Sequence, residues 1–356
     1  MNLKDAKYSG FALVREMLET PGIIGGFDFQ AAAAAANVVR RTGKLFLTGE
    51  GSSRIFPAKN LMTQVLEMGL PLTVATEGAR QAHEYNLRGF AVFAASNSGK
   101  TKEVISLLTK LAAEGHPERF GLTAYRPCPL EGVASQCYTL RCGAEQAVAA
   151  TKSVVEQALF YCSLLGPWDG TRRLVAHQRQ ACLLAQEVLE MELDPALVAK
   201  IAAAPVIYFA GRNNGVAEEL TLKTNEITHK KSDFLEGTYA VHGIEEIMQP
   251  REVVLVIDPF LAEIEKFRTT LVEGVGMTVI ALAHEETSLP TIRIPPLDGY
   301  RTVLQLLAGW NLLVHVGIAL GINLDKAERA RKIGNEFQPN SPLRAPRSGR
   351  RERGRG

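Results

Sequence analysis

The stretch Ala94-Ala95-Ser96-Asn97-Ser98-Gly99-Lys100-Thr101 follows the apolar run Gly89-Phe90-Ala91-Val92-Phe93 and precedes residues 103–111, where apolar positions recur at helical spacing. That order predicts a buried strand, a hydroxyl-rich turn and a helix. At such a turn the first N–H groups of the helix lack intrahelical partners, and the helix dipole adds partial positive charge. Ser96, Ser98 and Thr101 would gather three hydroxyls at the same point, a combination suited to a phosphate. The nucleotide-loop spacing G-x-x-x-x-G-K-[ST] is absent. Taken alone, the same residues would serve equally well as a helix cap.

The neighbouring sequence extends this pattern in both directions. Residues 44–47 read as a strand running into Thr48-Gly49-Glu50-Gly51-Ser52-Ser53, with a helix over 55–68. Further strands are expected at 72–75, 120–124 and 138–141. The second half repeats the order: a strand at 206–210 runs into Gly211-Arg212-Asn213-Asn214-Gly215 and a long helix, and strands follow at 252–257, 277–282 and 291–294. Gly49 and Gly211 are 162 residues apart, and the later strands nearly keep that offset. Strands alternating with helices imply parallel sheets. The expected fold class is α/β, with two duplicated, doubly wound, flavodoxin-like domains joined by helices. The expected divisions are an N-terminal helix at 1–26 ended by Pro21-Gly22, a first domain at 27–165, a helical linker at 166–195, a second domain at 196–337 and a disordered basic tail at 338–356.

The duplication also shows where chemistry is concentrated. Asp258-Pro259-Phe260 stands in the second half where Ser96-Asn97-Ser98 stands in the first. An acidic residue and a proline there oppose phosphate binding. Ligands of doubly wound sheets sit beyond the carboxyl ends of adjacent strands. Gly51, Ser52 and Ser53 are therefore expected to face Ser96, Asn97, Ser98 and Thr101 across one crevice. Two hydroxyl-rich loops converging there favour a phosphate over a cap. Neither loop reads G-x-G-x-x-G, so no dinucleotide is implied.

Composition narrows the class. A chain of 356 residues with 46% hydrophobic and 22% charged residues is that of a soluble globular protein with room for two domains. The net charge of +2 includes a +5 contribution from six Arg and one Glu in residues 341–356, leaving −3 for the rest. The body thus carries no general case for nucleic acid. Five cysteines without C-x-x-C suit a reduced, cytoplasmic setting. Residues 1–20 are mixed and charged, so no leader is expected. Residues 302–321 are largely apolar but contain Gln305, Asn311 and His315, which suits a buried helix better than a membrane span. No cofactor and no metal site are expected.

These residues carry a resemblance. Gly51-Ser52-Ser53, Ser96-Asn97-Ser98-Gly99-Lys100-Thr101 and Glu145-Gln146-Ala147-Val148-Ala149-Ala150-Thr151-Lys152 resemble the sugar isomerase (SIS) family of phosphosugar-binding proteins in its tandem form. The last stretch is similar to that family's E-x-x-V-A-[SA]-T-K segment. The similarity runs over roughly residues 27–337 and extends to the isomerase half of glucosamine-6-phosphate synthase and to stand-alone aminosugar-phosphate deaminases, isomerases and deglycases. It implies that Gly51, Ser52, Ser53, Ser96, Asn97, Ser98, Thr101, Val148 and Ala150 bind substrate. In the second half, Lys223 and Glu226 share a helix face, and His242 follows sixteen residues later before Gly243, matching the family's Lys-x-x-Glu and His-Gly pattern. The resemblance implies that Glu226 shuttles a proton between sugar C1 and C2, and that His242 assists ring opening, often in a neighbouring subunit's site. It places Lys332, in Asp325-Lys326-Ala327-Glu328-Arg329-Ala330-Arg331-Lys332, near the sugar carbonyl.

The chemistry needs those residue types. Moving a carbonyl between C1 and C2 requires one base, and a partly desolvated carboxylate serves at neutral pH. A lysine beside the developing enolate oxygen stabilises its charge. The family loop G-E-x-[KR]-H-G-P is altered here, with Tyr239, Val241 and Ile244 at three of its positions. No amidotransferase segment precedes residue 27, so the glutamine-driven synthase reaction is not expected. The resemblance leaves an aminosugar or ketose 6-phosphate deaminase or isomerase as the leading reading, with a sugar–amine 6-phosphate deglycase or a non-catalytic phosphosugar sensor as alternatives. A homodimer with a shared site is the expected assembly.

Overall fold

The computed structural model describes residues 1–329, 336 and 337. The first sheet contains β1 (Lys44–Gly49), β2 (Thr73–Gly78), β3 (Ala91–Ala95), β4 (Arg119–Thr123) and β5 (Gln136–Thr139), ordered β2-β1-β3-β4-β5. The second contains β6 (Val206–Gly211), β7 (Lys231–Glu236), β8 (Val253–Ile257), β9 (Thr278–Ala283) and β10 (Thr291–Arg293), ordered β7-β6-β8-β9-β10. Every neighbouring pair is parallel. The two orders are the same, and β1/β6 and β3/β8 both begin 162 residues apart. The protein is thus a duplicated flavodoxin-type α/β fold. Central strands β3 and β8 are buried throughout, as parallel strands covered on both faces must be.

The principal helices are α1 (Ala12–Gly26), α2 (Ala33–Thr42), α3 (Ile55–Glu67), α4 (Lys102–Ala113), α5 (Lys152–Ser163), α6 (Arg172–Glu190), α7 (Pro195–Ala203), α8 (Val216–Thr228) and α9 (Arg301–Ala319). The apolar 302–321 stretch forms α9, which packs on α6, α7 and α8. It is the one helix among the described residues long and apolar enough to cross a membrane, and it is mostly buried. Asn311 and His315 find partners inside, whereas the buried Gln305 amide has none among the described residues. The Asn311 amide donates to Val188 O and Met191 O (3.1 and 2.8 Å), and His315 joins Tyr8 Oη (2.8 Å) to Asn311 O. Gly309 lets α9 approach α8 closely: a Cβ there would lie 2.4 Å from Leu220 Cδ2.

Two local expectations are corrected. Pro21 does not end the first helix; α1 continues to Gly26. Proline removes one backbone donor, but Leu13, Val14, Met17 and Ile24 are fully buried on the α1 face packed against α5 and α6, and that packing carries the helix through. The strand β7 was also not expected from the sequence. It lies at the sheet edge, paired only with β6, and its polar Lys-Ser-Asp-Phe-Leu-Glu composition is that of a half-solvated edge strand.

Asp325 holds the start of α1. Phe11 supplies no side-chain cap there, and the Asp325 carboxylate instead accepts from Ala12 N–H (2.9 Å) and Leu13 N–H (2.8 Å). Its own carbonyl accepts from Val148 N–H (3.3 Å). Asp325→Ala should lower stability by about 1–2 kcal/mol, as loss of an N-cap does. Urea unfolding checks this; an unchanged midpoint would show that the cap is not needed.

Candidate functional site

In a sheet ordered 2-1-3-4-5, the connections run opposite ways from β1 and β3, and a crevice opens beyond their carboxyl ends. The turn Gly51–Ser53 leaves β1, and the stretch 96–101 leaves β3 to start α4. Gly99 sits at φ +65°, and a Cβ there would fall 2.4 Å from Cys128 Sγ, so only glycine fits. Ser96 lies behind the loop, fully buried, with its hydroxyl 2.7 Å from that of Thr101. Thr101 N–H donates to Ser96 Oγ (3.2 Å), and Lys100 N–H to Ser98 Oγ (3.2 Å). The loop is thereby closed before any ligand arrives.

Glu145 anchors this loop to the next element. It accepts from Asn97 Nδ2 (2.9 Å), from Thr151 N–H (2.7 Å) and from Ser153 Oγ (2.6 Å), so one buried carboxylate caps α5 and fixes Asn97. From the far end of the chain, Phe337 N–H donates to Lys100 O (2.8 Å) and Glu336 bridges to Thr101.

The crevice has a volume of about 730 Å³. Gly51, Ser52, Ser53, Asn97, Ser98, Thr101, Val148, Ala150 and Glu226 all line it. Ser96 and Lys223 stand directly behind its wall. His242 does not reach it; it lies in a separate shallow hollow with Glu236, Thr238 and Tyr239, with Lys266 Nζ 3.3 Å from its Nε2. Lys332 and the tail 338–356 lie outside the described residues. Sequence reasoning singled out no role for Glu50, Lys100, Glu103 or the Tyr125–Pro127 wall, which also line the crevice. Glu50 stood inside the quoted glycine loop, whereas residues 125–127 carry no motif that would point to them.

Helix α8 brings the second half into the first half's crevice. Residues 219, 223 and 226 share one face of this helix. Lys223 is fully buried, and its ammonium donates to Ser52 Oγ (2.7 Å) and to Glu226 Oε2 (2.6 Å), with Glu219 Oε1 at 3.4 Å. Burial alone would lower the Lys223 pKa, but Glu226 and Glu219 outweigh it and hold the pKa above its ordinary value. Burial pushes the fully enclosed Glu219 carboxyl upward, against the pull of Lys223. The single ammonium therefore faces two carboxylates, of which Glu226 is the one open to the crevice (26% side-chain exposure). Glu50 is also raised, chiefly by burial and further by Glu103, while the Arg80 N–H opposes the shift. No group of three or more His, Cys, Asp or Glu side chains placed to hold a metal is present among the described residues.

No protein-family model matches the sequence, and no curated protein matches it either. Solved structures do match. Tagatose-6-phosphate ketose/aldose isomerase from Escherichia coli superposes with a TM-score of 0.74 at 18% identity, over 91% of this chain and 97% of that one. The C-terminal domain of glucosamine-fructose-6-phosphate aminotransferase from Francisella tularensis gives 0.72 at 15% identity, over 89% and 98%. Glucosamine-6-phosphate deaminase from Thermotoga maritima gives 0.64 at 16% identity, over 90% and 98%. The chain therefore has the fold of the tandem phosphosugar isomerase proteins.

Lys223→Met should be strongly destabilising, by about 3–5 kcal/mol, because it leaves two carboxylates without their buried cation. Adding Glu219→Gln should recover part of that loss. Chemical denaturation of the two variants measures both effects. A Lys223→Met protein as stable as the parent would mean that the network contributes nothing.

Proposed function

We propose that this chain is a sugar-phosphate enzyme that moves a proton between C1 and C2 of an aminosugar or ketose 6-phosphate, in the manner of a glucosamine-6-phosphate deaminase or isomerase. The observation that carries the reading is the placement of Glu226, from the second half, on the same crevice as the two hydroxyl-rich loops of the first. Ser98, Thr101 and the first N–H groups of α4 offer the donors a phosphate needs. Lys223 donates to Glu226 and holds its carboxylate at the crevice beside the bound sugar. Ser52 accepts from Lys223, and its own O–H faces the Glu219 carboxylate, so it fixes the glycine loop beneath the substrate. Val148 and Ala150 border the sugar, and Lys332 takes the carbonyl-facing role that the resemblance gives it.

His242 requires a second copy of the chain to act in such a site. Its loop is exposed and carries Tyr239 (49% exposed) and Ile247 (64%), apolar surface that a partner would cover. We read the assembly as a homodimer in which His242 enters the partner's crevice and assists ring opening. A second reaction reading, cleavage of a sugar–amine 6-phosphate adduct, is favoured by the size of the crevice. A volume of about 730 Å³ leaves room beyond a hexose phosphate, and Glu50 stands where an amine substituent could be held.

Two measurements test the proposal. Ser98→Ala with Thr101→Ala should weaken a hexosamine 6-phosphate by about 2–4 kcal/mol in calorimetry, since two charge-assisted hydrogen bonds are lost. Equal affinity of the parent for phosphorylated and free sugar would sink the phosphate assignment. On a panel of aminosugar and ketose 6-phosphates, reading ammonia and isomer together, Glu226→Gln should lower turnover by about 100-fold or more and leave substrate affinity nearly unchanged. Binding without turnover by the parent on every member of the panel would instead favour a phosphosugar sensor.

A further inference from the structure

The duplication produces a second crevice, and its residues suit a ligand different from that of the first. Helix α8 of the second half lines the first crevice through Leu222 and Glu226. Helix α3 of the first half lines a pocket of about 490 Å³ beyond the carboxyl ends of β6 and β9, through Asn60 and Gln64. Gln64 lies fifteen residues after Gly49, and Glu226 lies fifteen after Gly211. The repeat thus places a neutral amide in the second crevice where the first has its carboxylate.

The anion-binding features of the first crevice are also replaced. Asp258 follows β8 as Ser96 follows β3, and its carboxylate pairs with Arg212 (2.8 Å) and Arg301 (3.5 Å). The two arginines that line the pocket both have carboxylate partners: Arg301 with Asp258 and Glu67, and Arg173 with Asp298 (2.9 Å). An incoming phosphate would meet cations that are already neutralised. Beside the paired Glu67 and Asp298 and the exposed Glu285, the pocket offers a set of amides and hydroxyls, each able to donate and accept. Thr302 donates to Asn60 Oδ1 (2.8 Å), and Gln64 donates its amide N–H to Cys162 Sγ (3.2 Å). The Asn214 side-chain oxygen caps the start of α8. His284 Nε2 is buried with no hydrogen-bond partner among the described residues. Leu297 and Pro296 add an apolar strip.

The geometry points to a second binding site in this crevice for an uncharged polyhydroxylated ligand, of the class of an unphosphorylated hexose or N-acetylhexosamine. Amide and hydroxyl side chains would meet the sugar hydroxyls, and Leu297 the face of C–H groups. The site lacks the phosphate loop, and it carries Gln64 at the repeat position that Glu226 holds in the first crevice, so its role is binding. Its existence does not depend on which reaction the first crevice performs.

Calorimetry and ligand-observed NMR with D-glucose, D-fructose and N-acetyl-D-glucosamine, each with and without a 6-phosphate group, test this on the full chain. At least one unphosphorylated sugar should bind. Gln64→Leu with Asn214→Ala should weaken that binding by about tenfold or more, the equivalent of one or two lost hydrogen bonds. Thr63→Trp, a half-buried position on the rim, should block it without disturbing the core. Ser98→Ala with Thr101→Ala should leave it unchanged, and a 6-phosphate saturating the first crevice should not displace it. Phosphosugar binding retained by the Gln64→Leu/Asn214→Ala and Thr63→Trp variants confirms that they are folded. Failure of all three free sugars to bind would overturn the proposal, as would binding lost with the first-crevice variant or equally strong binding of the phosphorylated forms at the second crevice.

Discussion

A buried ammonium joins the two halves of this protein at the wall of the first crevice. Lys223 stands on a helix of the second half, and its three polar contacts reach Ser52 in the first half and Glu219 and Glu226 in its own helix. Removing such a cation from water is costly, and only well-placed opposite charges repay it. Here both opposite charges come from the same helix. The ion pair positions Glu226 at the crevice, and the bond to Ser52 fixes the glycine loop from behind. The close crossing of α8 and α9 at Gly309 sets where that helix can lie.

The rest of the site is built by long-range clamps on short loops. Glu145 ties Asn97 to the start of α5, Asp325 ties the start of α1 to Val148, and Phe337 ties the C-terminal region to Lys100. Each clamp joins residues distant in sequence, and together they leave the crevice walls little freedom. Such preformed walls suit a ligand whose phosphate and reacting carbons must be held a fixed distance apart. At corresponding positions of the repeat the first half has Ser96 where the second has Asp258, and Gln64 where the second has Glu226.

Much of the architecture was readable from the chain because it rests on local rules. Strand–turn–helix order and the 162-residue repeat identified both sheets, and hydroxyls after two adjacent strands marked the crevice. Local rules failed where tertiary packing decided the outcome. Pro21 is carried inside α1 by its buried face, and β7 is a polar edge strand without a hydrophobic signature. The same limit applies to the site. The glycine and serine loops are local signals, but the inward turn of Ser96, the acidic Glu50, the wall at Tyr125–Pro127 and the third member of the ion network, Glu219, depend on what the fold brings beside them. The distance of His242 from its own chain's crevice could not be read from spacing at all.

The most direct test of the central claim, that Glu226 moves a proton between adjacent sugar carbons, is deuterium exchange. The protein is incubated in D2O with glucosamine 6-phosphate and with fructose 6-phosphate, and the sugar carbons are followed by NMR. The parent protein should place deuterium at C1 or C2 of at least one of them, and Glu226→Gln should not. Exchange by Glu226→Gln at the parent rate would contradict the assignment.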